Sequence, residues 1–306
     1  MNKDTSNSKL LKSILVSVAL FAMLMTISVL RKPVAGENSS HRGMRIISLA
    51  PNITEMLFVL GVEDSLVGRT DYCDYPPAAN KIETVGSLGL ANIEKVLSLK
   101  PDLLITPNQP DKEICELLAG ARIEVLVIQS NKVSGMLECL KSIGNAVGKG
   151  DLAADVVEKM QQRLDNIASK YAEVDAADRP RVFIEISNDP LITVGQQSFI
   201  NDVIQCAGGI NVAAEIVEAY PCINPEKVIE WNPDVIVPCY MGDTSHVREQ
   251  MSQRIGWENI TAIKTKKVIE NFPNDLIMRG GPRLIDGIEV LSHYLGGSAD
   301  KEFVSK

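Results

Sequence analysis

Histidine is scarce in this chain: three residues in 306, at positions 41, 246 and 293. A bare zinc or manganese site gathers several histidines with carboxylates, and three scattered ones form no such set. A single one could still reach the metal of a bound cofactor. The six cysteines, at 73, 115, 139, 206, 222 and 239, contain no CxxC pair, which argues against a zinc ribbon or a thioredoxin-type site. No run of basic residues stands out and the formal net charge is −8, so the clustered positive footprint of a nucleic-acid binder is missing. There is no GxGxxG after the first predicted strand, no Walker A sequence, no GxSxG elbow and no HExxH. No nucleophile and base stand together. A Gly/Ser-rich linker is missing as well, so the halves of the chain should be joined stiffly.

What is present is an ordinary globular composition, 45% hydrophobic and 23% charged. The N-terminal segment differs from the rest. Lys3, Lys9 and Lys12 precede an uncharged run from Ser13 to Leu30, closed by Arg31 and Lys32. A positive start before an apolar core is the pattern of an export signal, and eighteen residues are also just enough to span a bilayer. Residues 1–36 therefore read as a cleaved signal or an N-terminal anchor. No cysteine follows the run closely, which argues against a lipoprotein anchor. Either reading makes the protein extracytoplasmic, periplasmic or at the cell surface, with residues 13–30 as a tether if the segment is kept. In an exported chain Cys222 and Cys239, which share one half, are a candidate disulfide.

From Arg45 onward, short β-branched runs alternate with helical patterns. Strands are predicted at 45–50, 102–106, 123–128, 182–186, 234–238 and 267–271. Helices are predicted at 52–60 (capped by Asn52), 111–120, 134–147, 198–207 and 282–295. Such alternation implies a mostly parallel sheet covered on both faces. Between the halves, Leu152, Val156, Met160, Leu164, Ile167, Tyr171 and Val174 recur at spacings of three and four. They predict one amphipathic helix over 151–174, roughly 36 Å long at 1.5 Å per residue. The expected fold is α/β: two Rossmann-like lobes with mostly parallel sheets, residues 44–148 and 179–297, bridged by one long helix within 149–178.

A repeat supports the two-lobe reading. Asn92-Ile93-Glu94-Lys95-Val96, ending in Pro101-Asp102, returns 132 residues later as Asn224-Pro225-Glu226-Lys227-Val228, ending in Pro233-Asp234. In each copy Asn is placed to cap a helix, Pro stops it, and an apolar run enters the sheet. Glu94 and Glu226 thus occupy equivalent first-turn positions. Two readings are open: a favourable charge on the helix dipole, or a pair of exposed acids suited to a symmetric partner with basic sockets. The glycines of Cys206-Ala207-Gly208-Gly209 follow a helix and are read as its end rather than a phosphate cradle. Loops beyond strand ends supply cleft material: Tyr72 within Asp71–Pro77, the loop Gly86-Ser87-Leu88-Gly89, Tyr220, Tyr240, and Arg279 beside two glycines. Arg69 is a further candidate cation, and Arg283 is read as structural.

Arg45-Ile46-Ile47-Ser48-Leu49-Ala50-Pro51-Asn52, then Asp74-Tyr75-Pro76-Pro77, then the first copy of the repeat, resemble the cobalamin-binding and ferric-siderophore-binding periplasmic family. Gly195–Asn201, Cys206–Asn211 and Asn224-Pro225-Glu226 continue that order, so the resemblance covers about residues 44–296. It implies a non-enzymatic, monomeric solute-binding protein of an ABC importer, with no resident cofactor. It implies that Glu94 and Glu226 dock on arginines of a dimeric permease. The Tyr72–Pro77 loop is most similar to that of the cobalamin binders, which implies a corrinoid ligand. There Tyr72 matches a corrinoid-facing aromatic and Tyr220 falls where a tryptophan stands. Leu88 replaces a tryptophan and Ile192 a phenylalanine. The expected ligand set is Asn52, Tyr72, Leu88, Ile192, Tyr220, Tyr240 and Arg279. A ferric siderophore or haem is the alternative ligand. An α/β enzyme and a surface sensor without a transporter are the alternative functions.

Overall fold

The first strand, β1 (Ile46–Ser48), is buried along its whole length. Pro51 then opens α1 (Pro51–Val59) at a position where its missing N–H costs nothing. The chain, here a computed structural model, is described for residues 43–87, 89–240 and 246–296. After α1 come β2 (Leu66–Arg69), a hairpin of β3 (Gly86–Ser87) and β4 (Leu90–Ala91), α2 (Ile93–Ser98), β5 (Leu103–Thr106), α3 (Lys112–Gly120), β6 (Glu124–Val127) and α4 (Val133–Ala146). Strands β2-β1-β5-β6 form a four-stranded sheet, parallel throughout.

Helix α5 (Gly150–Lys170) carries the chain to a second sheet. That half contains β7 (Arg181–Asn188), β8 (Leu191–Thr193), α6 (Phe199–Cys206), β9 (Ile210–Asn211), α7 (Pro225–Trp231) and β10 (Val235–Pro238). It ends with α8 (Val247–Ser252), α9 (Thr261–Lys264), α10 (Asp275–Met278) and α11 (Leu284–Leu295). Strand β7 pairs in parallel with β10 and β9 and antiparallel with β8. The fold is therefore α/β with two lobes and a bridging helix, as expected.

Four local expectations need correction. The bridging helix stops at Lys170, not Val174. There the Tyr171 hydroxyl donates to the Ser292 carbonyl (3.0 Å), while Arg179 takes the Tyr171 carbonyl (3.1 Å). Its buried face is Ala153, Val157, Met160 and Ile167, and Leu152 points outward at 41% exposure. Residues 267–271 make only one bridge, Val268 to Ile236. The ladder cannot extend because the next donor on β10 would be Pro238, which has no N–H. Cys222 is exposed and Cys239 buried, and both are free. Burial pushes the Cys239 thiol up to about 12. Asn52 does not cap α1. Ala50 holds that position, which leaves Asn52 in the first turn.

The tyrosine that ends α5 also explains Gly208. A Cβ there would lie 2.3 Å from the Tyr171 ring, and φ is 90°. The glycine closes α6 and admits the ring, so it is not an anion cradle.

The two copies of the repeat share more than their helices. Arg45 donates to the Leu99 carbonyl at the end of α2 (3.0 and 2.6 Å), and its N–H goes to Asp102 (2.8 Å). Arg181 does the same in the other lobe, with the Trp231 carbonyl at the end of α7 (2.7 Å) and Asp234 (2.9 Å). Lys100 and Asn232, equivalent in the repeat, both take positive φ, 48° and 45°. The caps differ. Asn92 accepts the Lys95 N–H at 3.0 Å, whereas Asn224 makes no side-chain cap. Asn92→Ala should therefore cost about 1 kcal/mol and Asn224→Ala clearly less. Urea denaturation of the two variants checks this, and equal losses would contradict it.

One apolar core runs through both lobes. Met56 and Leu57 of α1, Met136 and Leu140 of α4, Val157 and Met160 of α5, Val182 of β7 and Ile288 and Leu291 of α11 belong to the same buried cluster. Arg163 on α5 grips Glu289 (2.8 and 2.6 Å) and Asp286 (2.6 Å) on α11. Hinging the lobes widely would expose that shared core to water, at roughly 25 cal/mol per Å². The join is stiff for this reason.

Candidate functional site

The C-terminal ends of β1, β5 and β10 open onto one space, where ligands bind in open α/β sheets. It is a cleft of about 1020 Å³ between the lobes. Ala50, Pro51 and Asn52 enter it after β1, Pro107 and Asn108 after β5, and Cys239 and Tyr240 after β10. Tyr72 and Gly89 come from the first lobe's loops, and Phe272 to Leu276, Met278, Arg279 and Arg283 from the second. A smaller recess of about 180 Å³ adjoins it, sharing Asn52, Met278 and Arg279, and Tyr220 lies there. Thus Asn52, Tyr72, Tyr240 and Arg279 line the main cleft, with Tyr220 in the neighbouring recess. Ile192, on β8 opposite Cys222, lines neither. Leu88 lies outside the described residues, as do residues 1–36 and the tether expected at 13–30.

Tyr72 and Tyr220 are about half exposed, at 48% and 47%. Each offers a flat apolar face with a polar tip. Tyr240 is held differently. Its hydroxyl donates to Glu185, a carboxylate with no exposure, which Arg254 grips with two bonds of 2.8 Å. Arg254 in turn lies 4.4 Å over the Trp257 ring. Burial, then the charge of Glu185, raises the Tyr240 phenol above its ordinary value. It presents a ring to the cleft, not a phenolate.

Arg279 lines the cleft as expected, and Arg283, read as structural, lines it too, but both are already engaged. Arg279 binds Asp74 through both terminal nitrogens, and Asp275 at 2.8 Å. Arg283 holds Glu55 at 3.0 and 2.6 Å and stacks 3.6 Å over the Tyr75 ring. Both pairs cross from one lobe to the other. Gly281 permits the Glu55 contact, since a Cβ there would meet that carboxylate at 2.9 Å. The hydrogen bond from Arg279 holds the Asp74 carboxyl below its ordinary 3.8. That strap is therefore complete above pH 3.8 and is lost as pH falls through the lowered value. Arg69 is not a cleft cation. It is 6% exposed and donates to the Ala79 and Thr70 carbonyls (2.7 and 2.8 Å), pinning the Tyr72 loop from behind.

Sequence reasoning missed Phe272, Pro273 and Met278, which follow the segment wrongly predicted as a strand. The Pro273 ring after an apolar run was the available signal. Pro107 and Asn108 were also missed, although they directly follow a predicted strand end.

The chain, a two-lobed α/β body with a ligand-sized cleft, matches a known family model, "Periplasmic binding protein", over residues 46–273. The chain belongs to that family. It is 33% identical to an ABC transporter substrate-binding lipoprotein of Bacillus subtilis, across 84% of this chain and 82% of the relative. The crystal structure of the periplasmic vitamin B12-binding protein of Vibrio cholerae is similar with a TM-score of 0.70 at 28% identity, covering 82% and 96% of the two chains. A periplasmic haem-binding protein of Pseudomonas aeruginosa is similar with a TM-score of 0.71 at 25% identity, covering 84% and 94%. As a member of the periplasmic binding protein family, the chain is a solute-binding component of an ABC importer and not an enzyme. Among the described residues no helix is long and apolar enough to cross a membrane.

Glu94 and Glu226, the equivalent acids of the repeat, are exposed in the first turns of α2 and α7. The lysine next to each is occupied elsewhere: Lys95 with Glu83 (2.8 Å), Lys227 with Glu215 and Glu230 (3.3 and 3.1 Å). Among the described residues neither Glu94 nor Glu226 has a hydrogen bond or ion pair.

Proposed function

We propose that the protein captures a corrinoid between lobes 44–148 and 179–297 and delivers it, as a monomer, to the membrane subunits of its importer. The cleft carries this reading. At about 1020 Å³ it lies at the upper end of the 300–1,000 Å³ typical of small-molecule sites, which suits a bulky macrocycle. Tyr72 and, from the adjoining recess, Tyr220 supply flat walls. Asn52 supplies an amide, and the lining cations are already neutralised. Among the described residues no three His, Cys, Asp or Glu side chains converge to hold a metal ion, so a metal would arrive inside its own ligand. The likeness to a vitamin B12-binding protein supports the same ligand class. Docking through Glu94 and Glu226 completes the cycle, and no covalent step is involved. The protein works outside the cytoplasm, with residues 13–30 as a tether where they are kept.

Haem is the second reading, because Tyr72 has no hydrogen-bond partner among the described residues and could bind an iron axially. Calorimetric titration of the chain without residues 1–36 separates the two. Cyanocobalamin and cobinamide should bind one to one. Haem should bind weakly and without the visible bands of a tyrosinate complex. Tyr72→Ala should weaken corrinoid binding by about tenfold to a hundredfold, the scale of one lost aromatic contact. Tight binding of haem or a ferric hydroxamate, with no corrinoid heat, would overturn the ligand assignment.

A further inference from the structure

Arg279, Arg283 and Asp275 line the cleft, and Asp74 and Glu55 grip those arginines from the first lobe, giving a cluster of two arginines and three carboxylates. Arg279 lies between Asp74 and Asp275, and Arg283 lies against Glu55. The side chain of Arg279 is only 17% exposed, whereas those of Asp74 and Asp275 are 52% and 59% exposed. A solute entering the cleft therefore meets the acids at least as readily as the cation between them. The formal sum over the five groups is one negative charge. A cleft built to hold an anion would leave its guanidinium groups free to donate to the solute. Here each arginine directs two of its nitrogens to the protein's own carboxylates.

We propose that Asp74 and Asp275 are specificity-determining residues: they cancel Arg279, so that the cleft admits neutral or cationic metal complexes and turns away anionic ones. The inference rests on the reading that the cleft takes a bulky metal complex, and it deepens that reading by fixing the charge class of the cargo. Asp74 also sits two residues after Tyr72, the aromatic wall. The strap to Arg279 thus ties the charge filter to the loop that carries the Tyr72 ring. An ion pair of opposite charges across a partly buried contact biases affinity strongly, and a like charge placed in its path opposes binding. Removing two carboxylates therefore converts a net negative wall into a positive one.

The test compares full-length wild type with the Asp74→Asn/Asp275→Asn variant in mild detergent. The probes are a ferric trihydroxamate without net negative charge, a hexadentate ferric tris(catecholate) of charge −3, and cyanocobalamin. In the variant the affinity for the −3 complex should rise at least tenfold over wild type. The gain should shrink in 0.5 M salt, as screening requires, and vanish when Arg279→Ala is added. Affinity for the uncharged probes should change less than threefold. Both aspartates are about half exposed, so the variant should keep the wild-type melting temperature within a few degrees. Asp275→Asn alone leaves the inter-lobe strap intact and should give a smaller gain. No gain for the −3 complex in either folded variant would overturn the inference, as would wild type binding it as tightly as the uncharged iron complex. A gain without any cyanocobalamin binding would leave the charge filter standing and remove the corrinoid reading. Cyanocobalamin binding without the gain would do the reverse.

Discussion

Reversing both proposed docking charges, Glu94→Lys with Glu226→Lys, should abolish uptake in a reconstituted transporter, a loss of a hundredfold or more, while ligand affinity stays within twofold. Both acids are exposed, and neither is held by a neighbour among the described residues. The adjacent lysines are turned to Glu83 in one lobe and to Glu215 and Glu230 in the other. Each carboxylate is therefore free to meet a basic socket on a partner. Losing one charge from a hydrogen-bonded interface pair costs about 2–5 kcal/mol. Reversal adds repulsion at two sites related by the repeat, which is why the double variant should fail outright and each single variant only partly. The ligand cleft is built from other residues, so calorimetry should find binding unchanged. If uptake survived in the double variant with binding intact, the docking role would be wrong and a sensor without a transporter would become the better reading.

What the sequence revealed of this arrangement is whatever obeys a local rule. The repeat was legible because a helix cap, a stopping proline and a buried strand recur in order. It located Glu94 and Glu226 without any knowledge of their surroundings. The matching pair Arg45 and Arg181 was not legible, because each acts on backbone carbonyls of a distant helix end and leaves no pattern in residue type. Tyr240 was legible from its place after a strand end, and Tyr72 as an aromatic in a polar loop. The strap between Asp74 and Arg279 was not, since it joins residues 205 apart in the chain. Arg279 was therefore expected as a free cation. The phase of the bridging helix was misread at Leu152 because small Ala153, not a larger residue, faces the core there. The false strand at 267–271 had the right composition. It failed on a property of its neighbour, the missing N–H of Pro238.

Removing the Arg254 guanidinium should give the largest stability loss of any single substitution proposed. Glu185 has no solvent exposure, and Arg254 is the only cation paired with it among the described residues. Breaking a buried pair by deleting one partner leaves a charge without compensation, at a cost of about 3–5 kcal/mol. Arg254→Met should therefore lower the melting temperature by about 6–20 °C, at roughly 2–4 °C per kcal/mol for a body of this size. Deleting both charges, Glu185→Leu with Arg254→Met, should recover part of that loss, because an apolar pair of similar volume needs no desolvation. The double substitution also strips Tyr240 of its anchor, so the ring should move and ligand affinity should fall even where stability returns. Stability and binding thus separate in a single double-mutant cycle. Urea denaturation and calorimetry on the same three variants measure both. A loss below about 1 kcal/mol for Arg254→Met would mean that Glu185 is not buried as a charge. The account of Tyr240 as a pinned ring, rather than a phenol free to ligate metal, would then fail with it.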